Sequence, residues 1–287
     1  MVIRTPPAWG WDKLTGAMHA PGTVGPDEYW QDARAVHTVP QVRRIGIADL
    51  KLALTQGMED FGAFRTDVLF LCLIYPLAGL VLARLAFGYE LLPLLFPLAS
   101  GFALIGPFAA VGLNEMSRRR EESADTGWID GFGIFRSPAL GQILALGFAL
   151  IIMLLLWLVC AQAIYDSTLG PRPPASVGQF AHDIFRTPAG WTMIIVGFGV
   201  GFLFAVAVLT ISSVAFPMLL DRNVPIDVAV RTSVRVAVTN KRTMAVWGLI
   251  VAGLLVIGSI PALLGLIVVM PVLGHATWHL YRAAVPH

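Results

Sequence analysis

From Ala139 to Ile164, and again from Trp191 to Phe216, the chain runs without one Asp, Glu, Lys or Arg. About 20 apolar residues in a helix match the thickness of a bilayer's hydrocarbon core, and inside lipid only a helix can satisfy such a segment's own backbone. Two further runs are also long and apolar enough, Val68 to Phe87, interrupted by Arg84, and Leu91 to Asn114. A fifth stretch, Met244 to Tyr281, has 38 residues with no ionisable side chain beyond two histidines, apart from the weakly acidic Tyr281. It is too long for one crossing, and "GSIPALLG" around Pro261 supplies a hairpin turn. The expected fold is therefore all-α: a polytopic membrane helical bundle over residues 46–287. Its six transmembrane helices fall at about 68–87, 91–114, 139–164, 191–216, 244–260 and 262–281.

Charge supports this reading. Only 13% of residues are charged, about half the share in soluble domains. The net charge of +2, with no basic stripe, gives no reason to expect a nucleic-acid partner. Lys and Arg concentrate on the cytoplasmic side of membrane proteins. Six spans put 17 of them on the side of the termini and leave Arg84, Arg172 and Arg186 opposite, so both termini are expected to be cytoplasmic. The opening residues lack the apolar core of a secretory signal. Residues 1–45, rich in Pro, Gly and scattered charge, are expected to form a disordered cytoplasmic arm whose Trp9, Trp11 and Trp30 touch headgroups or a partner. Cys72 and Cys160 fall at depths about 24 Å apart along their helices, too far for a disulfide.

A weak repeat punctuates the chain. "FRTD", "FRSP" and "KRTM" precede the outward-going helices and offer Ser or Thr as first-turn caps, and a fourth copy, "FRTP" at Phe185, starts an inward-going one. "ADLKLALTQGMEDF" places Leu50, Leu54, Met58 and Phe61 on one stripe and Asp49, Gln56, Glu59 and Asp60 mostly on another, the pattern of an interfacial helix. "PIDVAVRTSVRVAV" fits either a strand or a helix with Asp227, Arg231 and Arg235 stacked as a ridge. A lone strand there would leave its backbone unpaired, so a helix capped at Asn223 is expected. "TGWIDGFGIF" reads as a shorter version. The bundle is thus three hairpins, each preceded by an amphipathic interfacial helix. Pro107, Pro217 and Pro271 mark the cytoplasmic parts of the even-numbered spans.

Chemistry is sparse. The spans hold almost no ionisable groups, which disfavours ion coupling. Thr210, Ser212 and Ser213 fit helix contacts better than a polar track. Asp166, His182 and Asp183 share an external loop without a spacing that fixes a catalytic geometry. His275 and His279 stand four apart on one helix face and are the weak candidates for a metal or haem site. Trp278, Tyr281 and Arg282 around them have the composition of an interfacial belt, which points instead to hydrogen bonds with headgroups, water, Glu115 or Asp221. No cofactor and no catalytic residue are expected.

"VRRIGIADLKLALTQGMEDF", "PLASGFALIGPFAAVGLNEMSRRRE", "FPMLLDR", "VRTSVRVAVTNKRTMAVWGLIVAGLL" and "VVMPVLGHATWHLYR" together resemble bacterial integral membrane proteins of the family called domain of unknown function 2189. The resemblance runs from Val42 to Arg282 and departs at Asn114, where an aromatic residue is expected. It implies a multi-pass protein of the bacterial inner membrane. Some members are described as cytochrome c oxidase subunit I, which implies association with a respiratory complex, although six histidines cannot build a haem–copper centre. The expected function is a non-catalytic scaffold or accessory subunit, with the lipid bilayer and a membrane protein as partners. The alternative is a permease or lipid-handling protein for a neutral or lipid-like substrate.

Overall fold

The computed structural model describes residues 39–63, 84, 92–122, 137–222, 224–261 and 263–286. The span expected at 68–87 lies outside these residues apart from Arg84, as do "TGWIDGFGIF", Asn223, Cys72 and the arm up to residue 38. The described residues are helical, without strands. In chain order they form α1 (Ile47–Ala63), a 3-10 turn (Leu92–Leu94), α2 (Leu95–Ala109), α3 (Val111–Glu122), α4 (Leu140–Thr168), α5 (Val177–Arg186), α6 (Pro188–Ser212), α7 (Ala215–Arg222), α8 (Ile226–Thr239), α9 (Lys241–Ser259) and α10 (Leu266–Ala284).

Four of these segments are long and apolar enough to cross a membrane: Leu92–Glu122, Leu140–Thr168, Pro188–Arg222 and Lys241–Ser259. Their outer surfaces are apolar too. Phe148 and Val159 on α4, Ile195, Phe202 and Leu203 on α6, and Leu249 and Val256 on α9 all point outward. Only 6% of the most apolar window of Pro188–Arg222 is buried within the protein. Such a surface is stable only against lipid or another apolar body. α10 is not among the four. Its last turns carry His275, His279 and Arg282 and are packed inside the protein.

α4 packs against α2 and α6, whereas α1 lies along α10, joining elements from opposite ends of the described chain. Where α1 meets α10, Gly57 lets two backbones touch. A Cβ there would fall 2.7 Å from the Ala276 amide nitrogen and 2.8 Å from the Val272 carbonyl oxygen. α1, α3, α7, α8 and the end of α10 thus enclose a dense core containing Leu50, Met116, Phe216, Met218, Trp278 and Tyr281, all fully buried. Where such a side chain leaves water, burial contributes about 1.5–3 kcal/mol.

The buried face of α1 is Leu50, Ala53, Gly57 and Asp60. This corrects the expected stripe: Met58 is exposed, and Asp60, read as polar-side, points inward. The reason is that two other elements of the chain, α3 and α10, supply polar partners for its carboxylate. α8 is a helix, and Asp227, Arg231 and Arg235 form its exposed ridge, with Arg231 3.8 Å from Asp227. Its N-cap is Pro225. Thr187 caps α6 through the Gly190 amide, with Pro188 opening the helix. Thr243 is not a cap. α8 runs almost directly into α9 through Asn240, and the Thr243 hydroxyl donates to the Ile45 carbonyl. That bond belongs to a strap: the Arg43 amide donates to Ala284 O, and the Ile45 amide to Asn240 Oδ1. The last residues assigned to the arm are therefore tied down.

Pro107 and Pro271 lie inside α2 and α10, while Pro217 sits in the first turn of the separate α7, after the break at Ser213 and Val214. The turn between α9 and α10 falls where "GSIPALLG" places it. Leu263 takes a φ of 68°, and Gly258 and Gly265 bring the two helices together.

Candidate functional site

A buried polar cluster forms where α1, α3 and α10 meet. Asp60 comes from the buried face of α1, Ser117 and Arg120 from α3, and His275 and His279 from α10, one helical turn apart. The Ser117 hydroxyl donates to Asp60 Oδ2 at 2.5 Å, and His279 Nε2 lies 2.9 Å from the same oxygen. Arg120 pairs with the other carboxylate oxygen at 2.5 Å. His275 Nδ1 lies 2.8 Å from Ser117 Oγ and 3.9 Å from Asp60. Because the serine proton goes to the carboxylate, the remaining bond requires His275 Nδ1 to carry hydrogen and donate to Ser117. Burial pushes the Asp60 carboxyl up. The hydrogen bonds from His279 and Ser117, with the two imidazoles nearby, outweigh this and hold it below the ordinary carboxylate range.

A second set of bonds continues from this clasp along α10. The Trp278 indole donates to Glu121 at 3.0 Å, and Arg282 pairs with the other Glu121 oxygen at 3.1 Å. The Tyr281 hydroxyl donates to Asp221 at 2.6 Å and accepts from Arg222 at 2.9 Å. Arg222 also donates to the carbonyls of Val285 and Pro286. α10 is therefore tied to α1, α3 and α7 through one broad face of its last turns. On α3, the buried Glu115 accepts from Arg118 and Arg119.

Ser, His and Asp side chains in contact invite comparison with a nucleophile triad, which needs the base to accept the serine proton and the carboxylate to hold the other ring nitrogen. Here Ser117 donates to the carboxylate itself, and His275 approaches Ser117 rather than Asp60. Ser117 and His275 are also 1% and 0% exposed, so a substrate has no direct approach. The arrangement suits holding three helices together.

His275 and His279 are both enclosed by protein, and Asp60 and Ser117, rather than headgroups, meet them. The expected pairing of the histidines with Glu115 or Asp221 gives way to one with Asp60, Ser117 and Glu121, while Asp221 pairs with Tyr281. As metal candidates the two histidines share a neighbourhood with Asp60, yet among the described residues no group of three or more His, Cys, Asp or Glu is arranged to hold a metal ion. Asp166 accepts from Gln162, and His182 stands 3.6 Å from Asp183 on the exposed α5. Ser212 donates to the Val208 carbonyl, Ser213 lies 3.3 Å from Ser233, and Ser233 donates to Thr210 O. These groups lie at helix contacts.

Sequence reasoning missed Asp60 and Ser117. The available signal was Asp60 falling seven residues after Ala53 and three after Gly57, a row of small residues suited to close packing. Asn114 is a different matter. It is 1% exposed, and neither atom of its amide has a hydrogen-bond partner among the described groups. A buried amide left unpaired costs about 1–3 kcal/mol. Asn114→Leu is therefore expected to stabilise the protein by about 1 kcal/mol or more, read as a higher thermal midpoint in detergent. An unchanged or lower midpoint would show that the amide is satisfied.

No curated protein and no solved structure matches the chain. Residues 95–221, from the first turn of α2 to the Asp221 that holds Tyr281, match the model of the family described as Predicted integral membrane protein (DUF2189).

Proposed function

We propose that this integral membrane protein is a non-catalytic scaffold or accessory subunit of the bacterial inner membrane, with six spans arranged as three hairpins and both termini cytoplasmic. One observation carries the reading: the interior polar groups tie α1, α3, α7 and α10 into one packed head, while the long helices turn apolar faces outward. A rigid head beside broad apolar surfaces suits a protein that acts through contacts. In this topology α10 returns across the membrane beside α9, and the arm leads into the strap on the cytoplasmic side. The permeation alternative draws no support from Ser212 and Ser213, which are engaged at helix contacts.

Two measurements test the proposal. A reporter fused after His287 should be active only in its cytoplasmic form, and an outward-facing tail would overturn the topology. Mild solubilisation followed by mass spectrometry should recover the chain with a stoichiometric membrane partner, respiratory-complex subunits being the partner that the family resemblance implies. Recovery only as a free monomer or self-oligomer would remove the accessory role.

A further inference from the structure

The strap and the start of α9 gather basic side chains that the Asp60 clasp does not use. The Ile45 amide donates to Asn240 at 2.9 Å, Asn240 Nδ2 donates to the Arg43 carbonyl at 3.2 Å, and Thr243 donates to the Ile45 carbonyl at 2.9 Å. These bonds hold residues 43–45 against the α8–α9 junction. Arg44 on the strap and Lys241 and Arg242 in the first turn of α9 therefore flank the same three contacts, and Arg235 stands five residues before Asn240 on α8. All four are exposed, and none is in an ion pair among the described residues. The neighbouring acids are already engaged: Asp49 pairs with Arg43 at 2.6 Å and Asp227 with Arg231 at 3.8 Å. Ile47 and Val238, 57% and 56% exposed, add apolar surface beside the charge. α9 is long and apolar enough to span, so its first turn marks where hydrocarbon gives way to headgroups.

We propose that this patch binds the anionic headgroups of phospholipids at the membrane surface. Arg44, Arg235, Lys241 and Arg242 meet the phosphates, while Ile47 and Val238 enter the acyl boundary. Unpaired cations beside a membrane attract acidic lipid, and apolar neighbours add a contact that free phosphate lacks. This inference rests on the membrane reading and is independent of the scaffold role.

The full-length chain in neutral detergent, titrated with phosphatidylglycerol or phosphatidylcholine and followed by native mass spectrometry, tests it. Phosphatidylglycerol should bind at far lower concentration. At about 1 kcal/mol per basic residue, R235Q/K241Q/R242Q should weaken that binding roughly 100-fold and R44Q/R242Q roughly 30-fold, while R172Q/R186Q leaves it unchanged. These exposed substitutions should preserve the helical circular dichroism, and the double variant gives the answer if the triple one misfolds. Equal binding of the two lipids, unchanged binding in both patch variants, or displacement by equimolar inorganic phosphate would overturn the proposal. Recovery of the chain from cells without detergent would overturn the membrane reading itself.

Discussion

Gly57→Val is expected to force α1 away from α10 and to destabilise the protein by about 3 kcal/mol. Even a Cβ at this position falls within 2.8 Å of the Ala276 amide nitrogen and the Val272 carbonyl oxygen. The obstacle is backbone, which cannot turn aside as a flexible side chain can. Helix propensity works the other way, since Ala is favoured over Gly by about 1 kcal/mol, so Gly57→Ala should cost less than Gly57→Val. Gly62, five residues later on the same helix, has nothing within 4 Å of its Cβ position. Gly62→Val is the control and should change stability little. Thermal unfolding in detergent, read by circular dichroism, orders the three variants. Equal midpoints for Gly57→Val and Gly62→Val would refute the close approach of α1 and α10.

Asp60→Ala should be comparably damaging, at about 3 kcal/mol, because it strips the shared acceptor from Ser117, His279 and Arg120 at once. Arg120 is more than a third exposed and recovers part of its loss in solvent, so most of the cost falls on the buried donors. Asp60→Asn keeps the shape and one acceptor oxygen and should cost less. Acid distinguishes the carboxylate's role. Its folded pKa lies below the unfolded value of about 3.9, so between the two the unfolded chain binds more protons. The stabilisation is therefore complete above about pH 4 and fades as the pH falls through the folded value. The midpoint of the native protein should decline along that limb, and the difference between it and Asp60→Asn should shrink. A constant difference down to pH 2 would mean that ionised Asp60 does not stabilise the fold.

What could be read from the sequence followed from what lipid demands. Apolar runs with charged ends located the helices at 92–122, 140–168, 188–222 and 241–259, since their composition is set by the solvent around them. The ridge of Asp227, Arg231 and Arg235 left α8 open between strand and helix, and the unpaired backbone of a lone strand beside the membrane decided for the helix. The clasp was not legible, because it depends on partners more than 50 residues apart in the chain. Asp60 looks like a surface residue until Ser117 and His279 arrive from elsewhere, and His275 looks interfacial until α1 covers it. Thr243 was misjudged as a cap for the same reason: its partner, the Ile45 carbonyl, belongs to a segment that composition alone assigned to the arm.

The packing of α1 on α10 also bears on how the protein is made. Among the described helices one emerges first from the ribosome and the other last, so more than 200 residues separate the two halves of the contact. Until translation has delivered α10, α1 exposes Gly57 and an unpaired carboxylate to whatever surrounds it. A nascent chain cut short before His275 keeps its earlier helices but lacks both imidazoles that face Asp60. Delivery of α10 and closure of the head are therefore one event, and until then α1 remains an exposed segment that quality-control proteases can grip.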